Sequence, residues 1–173
     1  MKAITIYQPY AWLIAEGHKI YETQGIYTKY RGPIAIHASK GRIGSLNSMP
    51  PSVRAEFEKC GLTNHKQWHA LPRNAIVATG ELVNVWVIEK DTARDEIILR
   101  KLKNDDHLYH CQYRPTETTT TLERKEFNLD HWRTGCYAYE IRNVKPLPVP
   151  IPANGAPRLW DWEPETENKE GAI

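Results

Sequence analysis

Short apolar runs separated by turn residues recur along the chain and predict a protein built mainly on β-strands. In the segment 34–39, alternation with a period of two places Ile34, Ile36 and Ala38 on one face and His37 on the other. The longest run is rich in Ile, Val and Trp, and Gly80 inside it predicts a bulge or a close backbone approach. The predicted strands are 3–7, 34–39, 74–88 and 137–144.

Helical patterns are fewer and shorter. Pro9 suits a first helical position, and the helix that follows it ends at Gly17. An apolar stripe of Ile97, Ile98 and Leu102, with Asp91 or Thr92 as N-cap, predicts another helix. The predicted helices are 11–16, 52–60, about 64–70 and 91–103. Strands interspersed with short helices indicate an α+β protein, a small β-barrel or curled sheet with covering helices.

The domain organisation follows from the same patterns. One domain is expected over residues 1–163, with a helical insertion at about 44–72. A long loop or β-ribbon is expected at about 104–126, where polar residues and a run of threonines replace the apolar periodicity. The acidic residues 164–173 are expected to form a frayed tail.

Composition narrows the classes of function. The net charge of +2 is too small to require nucleic-acid binding. Cys60, Cys111 and Cys136 form no CxxC pair, so we expect neither a zinc site nor a disulfide framework, and no metal or other cofactor. The polar start and the lack of a long apolar run indicate a cytoplasmic protein with no membrane partner. Six Trp and nine Tyr against two Phe suit a slot for a planar ligand.

Seven segments, in this order along the chain, carry a family resemblance: Gln8-Pro9-Tyr10-Ala11, residues 17–23, 30–38, 78–82, 135–140, 143–147 and Leu159-Trp160. Over nearly its whole length the chain resembles the ASCH family in its bacterial and phage form. That resemblance implies a PUA-like β-barrel with a cleft floored by the Gly-x-Lys-x-x-Glu segment. Members of this fold bind RNA or a flipped or modified base. Some ASCH proteins are amidohydrolases that remove the acyl group from acetylated cytidine, and others have been regarded as ribonucleases or RNA binders.

The sequence departs from the family pattern at a few positions. Gln24 stands where the family commonly has Arg, and Tyr10 and Tyr139 stand where Trp is frequent. The loss of that Arg removes a rigid donor fork for phosphate or carboxylate. Any phosphate-anchoring role is therefore absent there or has moved to Lys29 or Arg31.

The candidate catalytic residues are Lys19, Glu22 and Thr23, which follow the stop of the first helix. If the segment is extended, Lys19 lies beside Thr23; if it turns helically, Lys19 neighbours Glu22 instead. In the first case a neutral Lys19 amine takes the Thr23 proton and the hydroxyl attacks an amide carbon. In the second, Glu22 orients a water as general base, and Lys19 stabilises the developing oxyanion. Both schemes stay open at this point.

The candidate binding residues are polar or aromatic side chains near the expected cleft. Glu81 and Gln8 suit a base edge, although a carboxylate on an exposed strand and a capping amide are the alternatives. His37 is either a hydrogen-bonded structural residue or a base. Ser39 and Lys40 resemble a loop tip that contacts phosphate. The full set for substrate or RNA is Gln8, Tyr10, Lys29, Arg31, His37, Ser39, Lys40, Glu81, Tyr137 and Tyr139.

Three hypotheses follow from these residues. The first is a hydrolase for acetylated cytidine or a similar small amide, with a nucleoside as its ligand. The second is a non-catalytic module or ribonuclease-type protein for single-stranded RNA, with an open cleft bordered by Lys29, Arg31, Lys40 and Arg42. The third is an interaction protein that docks a partner through an apolar patch on 104–126.

Overall fold

The computed structural model describes residues 1–42, 44–91, 96–102, 115–122 and 132–164. The strands in these ranges are β1 (Lys2–Gln8), β2 (Tyr21–Gln24), β3 (Gly32–Arg42), β4 (Ala75–Asp91), β5 (Glu96–Leu102), β6 (Pro115–Thr121), β7 (Tyr137–Pro152) and β8 (Leu159–Asp161). The helices are α1 (Tyr10–Ala15), α2 (Pro51–Lys59) and α3 (His65–Ala70), with a 3-10 turn at Leu46–Ser48. None of these helices is long and apolar enough to cross a membrane.

One mixed sheet holds all eight strands of the described ranges. Its main path runs β2-β7-β4-β3-β1-β8, and β5 and β6 extend from the far part of β4. β1 is parallel to β3, and the other pairings are antiparallel. Within the described residues no ladder joins β2 to β8, so the sheet is open. The prediction of mixed α and β structure with mostly strand is confirmed at this level.

The core lies on both sides of β3, as its alternating pattern predicts. Ile34 and Ile36 face one side of the sheet, where they pack with Ile14 of α1. Ala35 faces the opposite side and packs with Trp162 near the end of the described chain. All these apolar side chains are buried, and each large one contributes roughly 1.5–3 kcal/mol by leaving water.

The predicted helices 52–60 and 64–70 are present as α2 and α3. Gly61, at φ +95°, takes the left-handed conformation just past the end of α2. The Asn64 side chain accepts a 3.0 Å hydrogen bond from the backbone N–H of Gln67 and so caps α3. Phe57 of α2 and Trp68 of α3 pack against each other and beneath α1. The insertion therefore supports the helix that precedes the candidate site.

The predicted helix over 91–103 is wrong, because this segment contributes strands. β4 continues to Asp91, and β5 returns beside it with Ile97 opposite Lys90. Ile97 and Leu99 are buried against Ile88, so burial alternates with the period of a strand. The apolar stripe fits either structure, and pairing with β4 decides between them. The proposed N-cap Thr92 lies outside the described residues.

The proposed ribbon and tail are described only in part. Within this segment the described residues Pro115–Thr121 form β6, which pairs with β5. The described ranges do not include residues 103–114 and 123–131, which hold the rest of the segment proposed to dock a partner. They also do not include tail residues 165–173. The Gly80 prediction is confirmed: the β4–β7 register shifts between Thr79 and Glu81, and a Cβ at Gly80 would lie 3.1 Å from the Arg142 carbonyl oxygen.

Candidate functional site

Lys19 is directed into the protein by the way α1 ends. Gly17, at φ +73°, reverses the chain, and the backbone N–H of Lys19 donates to the Leu13 carbonyl at 3.1 Å. The side chain that follows has 0% exposure. Its Nζ donates to the Tyr21 carbonyl and lies 2.9 Å from Glu22 Oε2. Lys19 is therefore buried within the protein.

The buried ammonium group is held by partners of three kinds. Removing an ammonium from water is costly unless a counter-charge and hydrogen bonds replace its hydration. Glu22 supplies the charge and the Tyr21 carbonyl supplies an acceptor. The Tyr10 ring adds its face, with the centroid 5.8 Å from Nζ, a distance suited to a cation–π interaction.

The Lys19–Glu22 pairing arises differently from either expectation. It was tied to a helical turn, yet Glu22 and Thr23 both lie in the extended strand β2. Lys19 precedes β2, which begins at Tyr21. Its side chain therefore does not follow the alternation of faces along the strand, and it can reach Glu22. Within β2 successive side chains take opposite faces, and Thr23 therefore points away from the face of Glu22.

A pocket of about 190 Å³ adjoins this pair. Gln24 links the two, because its Nε2 lies 3.5 Å from Glu22 Oε1 and its side chain lines the pocket. Across the β2–β7 ladder, Glu22 is opposite Tyr139 and Gln24 is opposite Tyr137, so all four share one face of the sheet. The pocket is lined by Ile4, Gln24, Ile26, Tyr27, Thr28, Tyr139, Arg158 and Leu159.

Both ends of the sheet contribute to this pocket. Gln24 belongs to β2, at one end of the strand path, and Leu159 belongs to β8, at the other. Ile4 lies opposite Leu159 in the β1–β8 ladder and lines the same space. The sheet therefore curls far enough for its two ends to face one pocket, although no hydrogen bonds join them within the described residues.

Tyr139 is a fixed neutral group in the pocket wall. Its hydroxyl donates to the Ile26 carbonyl at 2.7 Å, and the residue is only 4% exposed. Burial raises the pKa of Tyr139 to about 12, against the opposing effect of the positive charge on Arg31. Tyr137 lies on the same face of the sheet, with its ring centroid 5.5 Å from that of Tyr27.

The predicted basic cleft is not a single feature. Arg31 donates to the carbonyls of Thr28 and Tyr30, at 2.9 and 2.8 Å, and so braces the loop that also carries Lys29. Lys40 is exposed near the other end of β3, about 30 Å farther along at roughly 3.3 Å per residue. The side chain of Arg42 lies outside what the structure describes. The two groups of cations therefore do not border one cleft.

Gln8 and Glu81 do not line the pocket. Gln8 is buried, and both ends of its amide are used: Nε2 donates to the Pro72 carbonyl at 2.7 Å, and Oε1 accepts from the Trp12 N–H at 3.0 Å. Glu81 is an exposed strand carboxylate that accepts a 3.0 Å hydrogen bond from Asn143. Both ends of the Gln8 amide are thus engaged within the protein, and neither Gln8 nor Glu81 is among the described residues that line the pocket.

His37 is a structural histidine on the other side of β3. Its Nε2 lies 2.9 Å from the Ala153 carbonyl oxygen, and a Cβ on Gly155 would meet the ring at 2.3 Å. Burial lowers the pKa of His37, and the Ala153 hydrogen bond opposes that shift. Ser39 and Lys40 are not a loop tip, because pairing with β1 continues β3 as far as Arg42.

The sequence reasoning missed most of the pocket wall. Tyr27 and Thr28 lie in the aromatic segment between β2 and β3, where the density of Tyr was the available signal. Arg158 adopts φ +63°, and no residue pattern near it in the sequence predicts this backbone conformation. No protein-family model matches this chain, and no curated protein matches it either.

Proposed function

We propose that the chain is an ASCH-type protein with a PUA-like fold and that its pocket receives one nucleobase, whose N-acyl amide it hydrolyses when the base is acetylated cytosine. The observation that carries the proposal is the fully buried Lys19 ammonium, 2.9 Å from a Glu22 carboxylate beside the pocket. The order of the ASCH-like segments supports the family. The convergence of both sheet ends on one pocket supports a barrel-like architecture.

The size and lining of the pocket suit a single base. Its 190 Å³ falls below the roughly 300–1,000 Å³ of pockets for drug-sized ligands. Tyr27 offers a flat aromatic wall, and stacking on such a ring contributes about 1–3 kcal/mol per base. The Gln24 amide and the Thr28 hydroxyl can donate to and accept from the edge of a pyrimidine.

Glu22 is the base in the reaction that this geometry supports. Its carboxylate takes a proton from a water, the water oxygen attacks the acyl carbon, and the carbon–nitrogen bond then breaks. The proton passes to the departing amino group, so that acetylated cytidine and water give cytidine and acetic acid, which releases its proton to solvent as acetate. Lys19 is a positioning residue, because a side chain with 0% exposure acts on a ligand only through Glu22. The oxyanion role expected for Lys19 is therefore not part of the proposal.

A hydrolysis assay with a matched carboxylate control tests this function. Purified wild-type protein is expected to release cytidine from acetylated cytidine, followed by chromatography. Glu22→Gln should lower kcat by about 100-fold or more, because a general base contributes 10²–10⁴-fold. Glu81→Gln, which alters an exposed strand carboxylate outside the pocket, should leave kcat within about twofold. Absence of wild-type turnover, or equal turnover in both variants, would refute the hydrolase proposal.

A further inference from the structure

Arg158 has an unusual backbone for its residue type. Among the described residues, three that are not glycine have positive φ: Asn74, Asn143 and Arg158. Asparagine enters the left-handed region readily because its short side chain hydrogen-bonds locally. Arginine has no such compensation, and the conformation costs about 1–2 kcal/mol. The strain at Arg158, at φ +63°, therefore needs a reason.

The surrounding chain fixes the backbone at Arg158. The next residue, Leu159, enters β8 and pairs with Ile4 of β1, so the backbone at Arg158 is set just before a hydrogen-bonded ladder. In this position the residue lines the pocket while remaining exposed. The left-handed turn thus places a positively charged residue at the boundary between the pocket and solvent.

The charges around the pocket leave this guanidinium without compensation. No carboxylate is among the described residues that line the pocket, and in those ranges Arg158 makes no ion pair. Glu22, which adjoins the pocket through Gln24, is already paired with Lys19 at 2.9 Å. The positive charge of Arg31 also reaches Tyr139 in the pocket wall. An anionic ligand group at the mouth would therefore meet unopposed positive charge.

We propose that Arg158 binds the phosphate of a nucleotide, so that the ligand is a base carrying a phosphate and not a free nucleoside. The inference rests on the proposed function of the pocket, since it assumes that a base occupies the interior. A guanidinium fork matches two phosphate oxygens, and such charge-assisted bonds are about twice as strong as neutral ones. The expected gain is about tenfold or more in affinity for the phosphorylated ligand.

Calorimetric titration with cytidine and with cytidine 5′-monophosphate tests the inference through binding, independently of turnover. Wild-type protein should bind the monophosphate at least tenfold more tightly, and the difference should shrink between about 50 and about 500 mM salt. Arg158→Gly should abolish the difference in affinity between the two ligands. Glycine accepts positive φ, so this variant should fold at least as stably as the wild type.

Arg54→Gln is the matched control, because it removes one exposed arginine from α2, outside the pocket lining. It should keep the full preference for the monophosphate. Equal wild-type affinities for the two ligands would overturn the phosphate role and leave the base pocket standing. A preference that survives in Arg158→Gly would also overturn it. If neither ligand binds, the proposed pocket function fails and this inference fails with it.

Discussion

Replacing Lys19 by methionine is the sharpest perturbation of this structure. Methionine keeps an unbranched side chain in a site with 0% exposure and removes the charge. The Glu22 carboxylate, whose side chain is 13% exposed, would then lose its counter-charge while remaining mostly shielded from water. Removing one member of a buried pair typically costs 3–5 kcal/mol, and we expect Lys19→Met to lower the free energy of unfolding by about that much.

The separation of the two charges sets the scale of this effect. At 2.9 Å and an effective dielectric constant of about 20, Coulomb's law gives 332/(20 × 2.9), or about 6 kcal/mol of attraction. Desolvation of both groups offsets most of that attraction, so the pair as a whole adds little to stability. The loss in Lys19→Met is thus mainly the cost of a stranded carboxylate. Adding Glu22→Gln should restore at least half of it.

Urea unfolding followed by tryptophan fluorescence measures these differences, and the chain supplies its own control. Arg54 and Glu58 form an ion pair at 3.6 Å within α2, and their side chains are 44% and 50% exposed. Arg54→Met should cost less than about 1 kcal/mol, because water screens this exposed pair and solvates the carboxylate that remains. A Lys19→Met variant no less stable than Arg54→Met would refute the argument from burial.

Two predictions concern the dependence of stability on pH. Because the pKa of Tyr139 is raised from 10.0 to about 12, its contribution is complete below pH 10 and is lost as pH rises towards 12. The free energy of unfolding should fall by about 2–3 kcal/mol over this pH range. In Tyr139→Phe, urea titrations at alkaline pH should show a much weaker dependence of the free energy of unfolding on pH. A dependence equal to that of the wild type would contradict the assignment. Because the pKa of His37 lies below 6.5, the unfolded chain takes up the proton first and stability falls as pH drops below 6.5. His37→Gln retains a donor for the Ala153 carbonyl and should weaken this acid dependence, whereas an identical acid midpoint would assign the titration to other groups.

Features determined by local chemistry were predictable from the sequence. Gly61 ends α2 and Asn64 caps α3, as their residue types indicate. The Gly80 bulge follows from the lack of a side chain where the β7 backbone comes close. Each of these depends on a few neighbouring residues.

Features determined by pairing across the chain were not predictable in the same way. Ile97 and Leu99 fit a helical stripe as well as a strand, and only β4, which precedes them, selects the strand. The choice of Glu22 over Thr23 as the partner of Lys19 depends on where β2 begins. The pocket joins Gln24 to Arg158 through the curl of the whole sheet, which no local pattern encodes.

Burial of the lysine and exposure of the arginine together define what kind of ligand this pocket suits. Lys19 and Glu22 neutralise each other, so the pocket interior presents aromatic, amide and hydroxyl groups without net charge. Arg158 leaves a positive charge at the mouth. A ligand that matches this arrangement has an uncharged planar part, which enters, and an anionic part, which stays near water. A nucleotide meets both conditions, whereas a fully charged small anion would lose its hydration in the interior without gaining a counter-ion there.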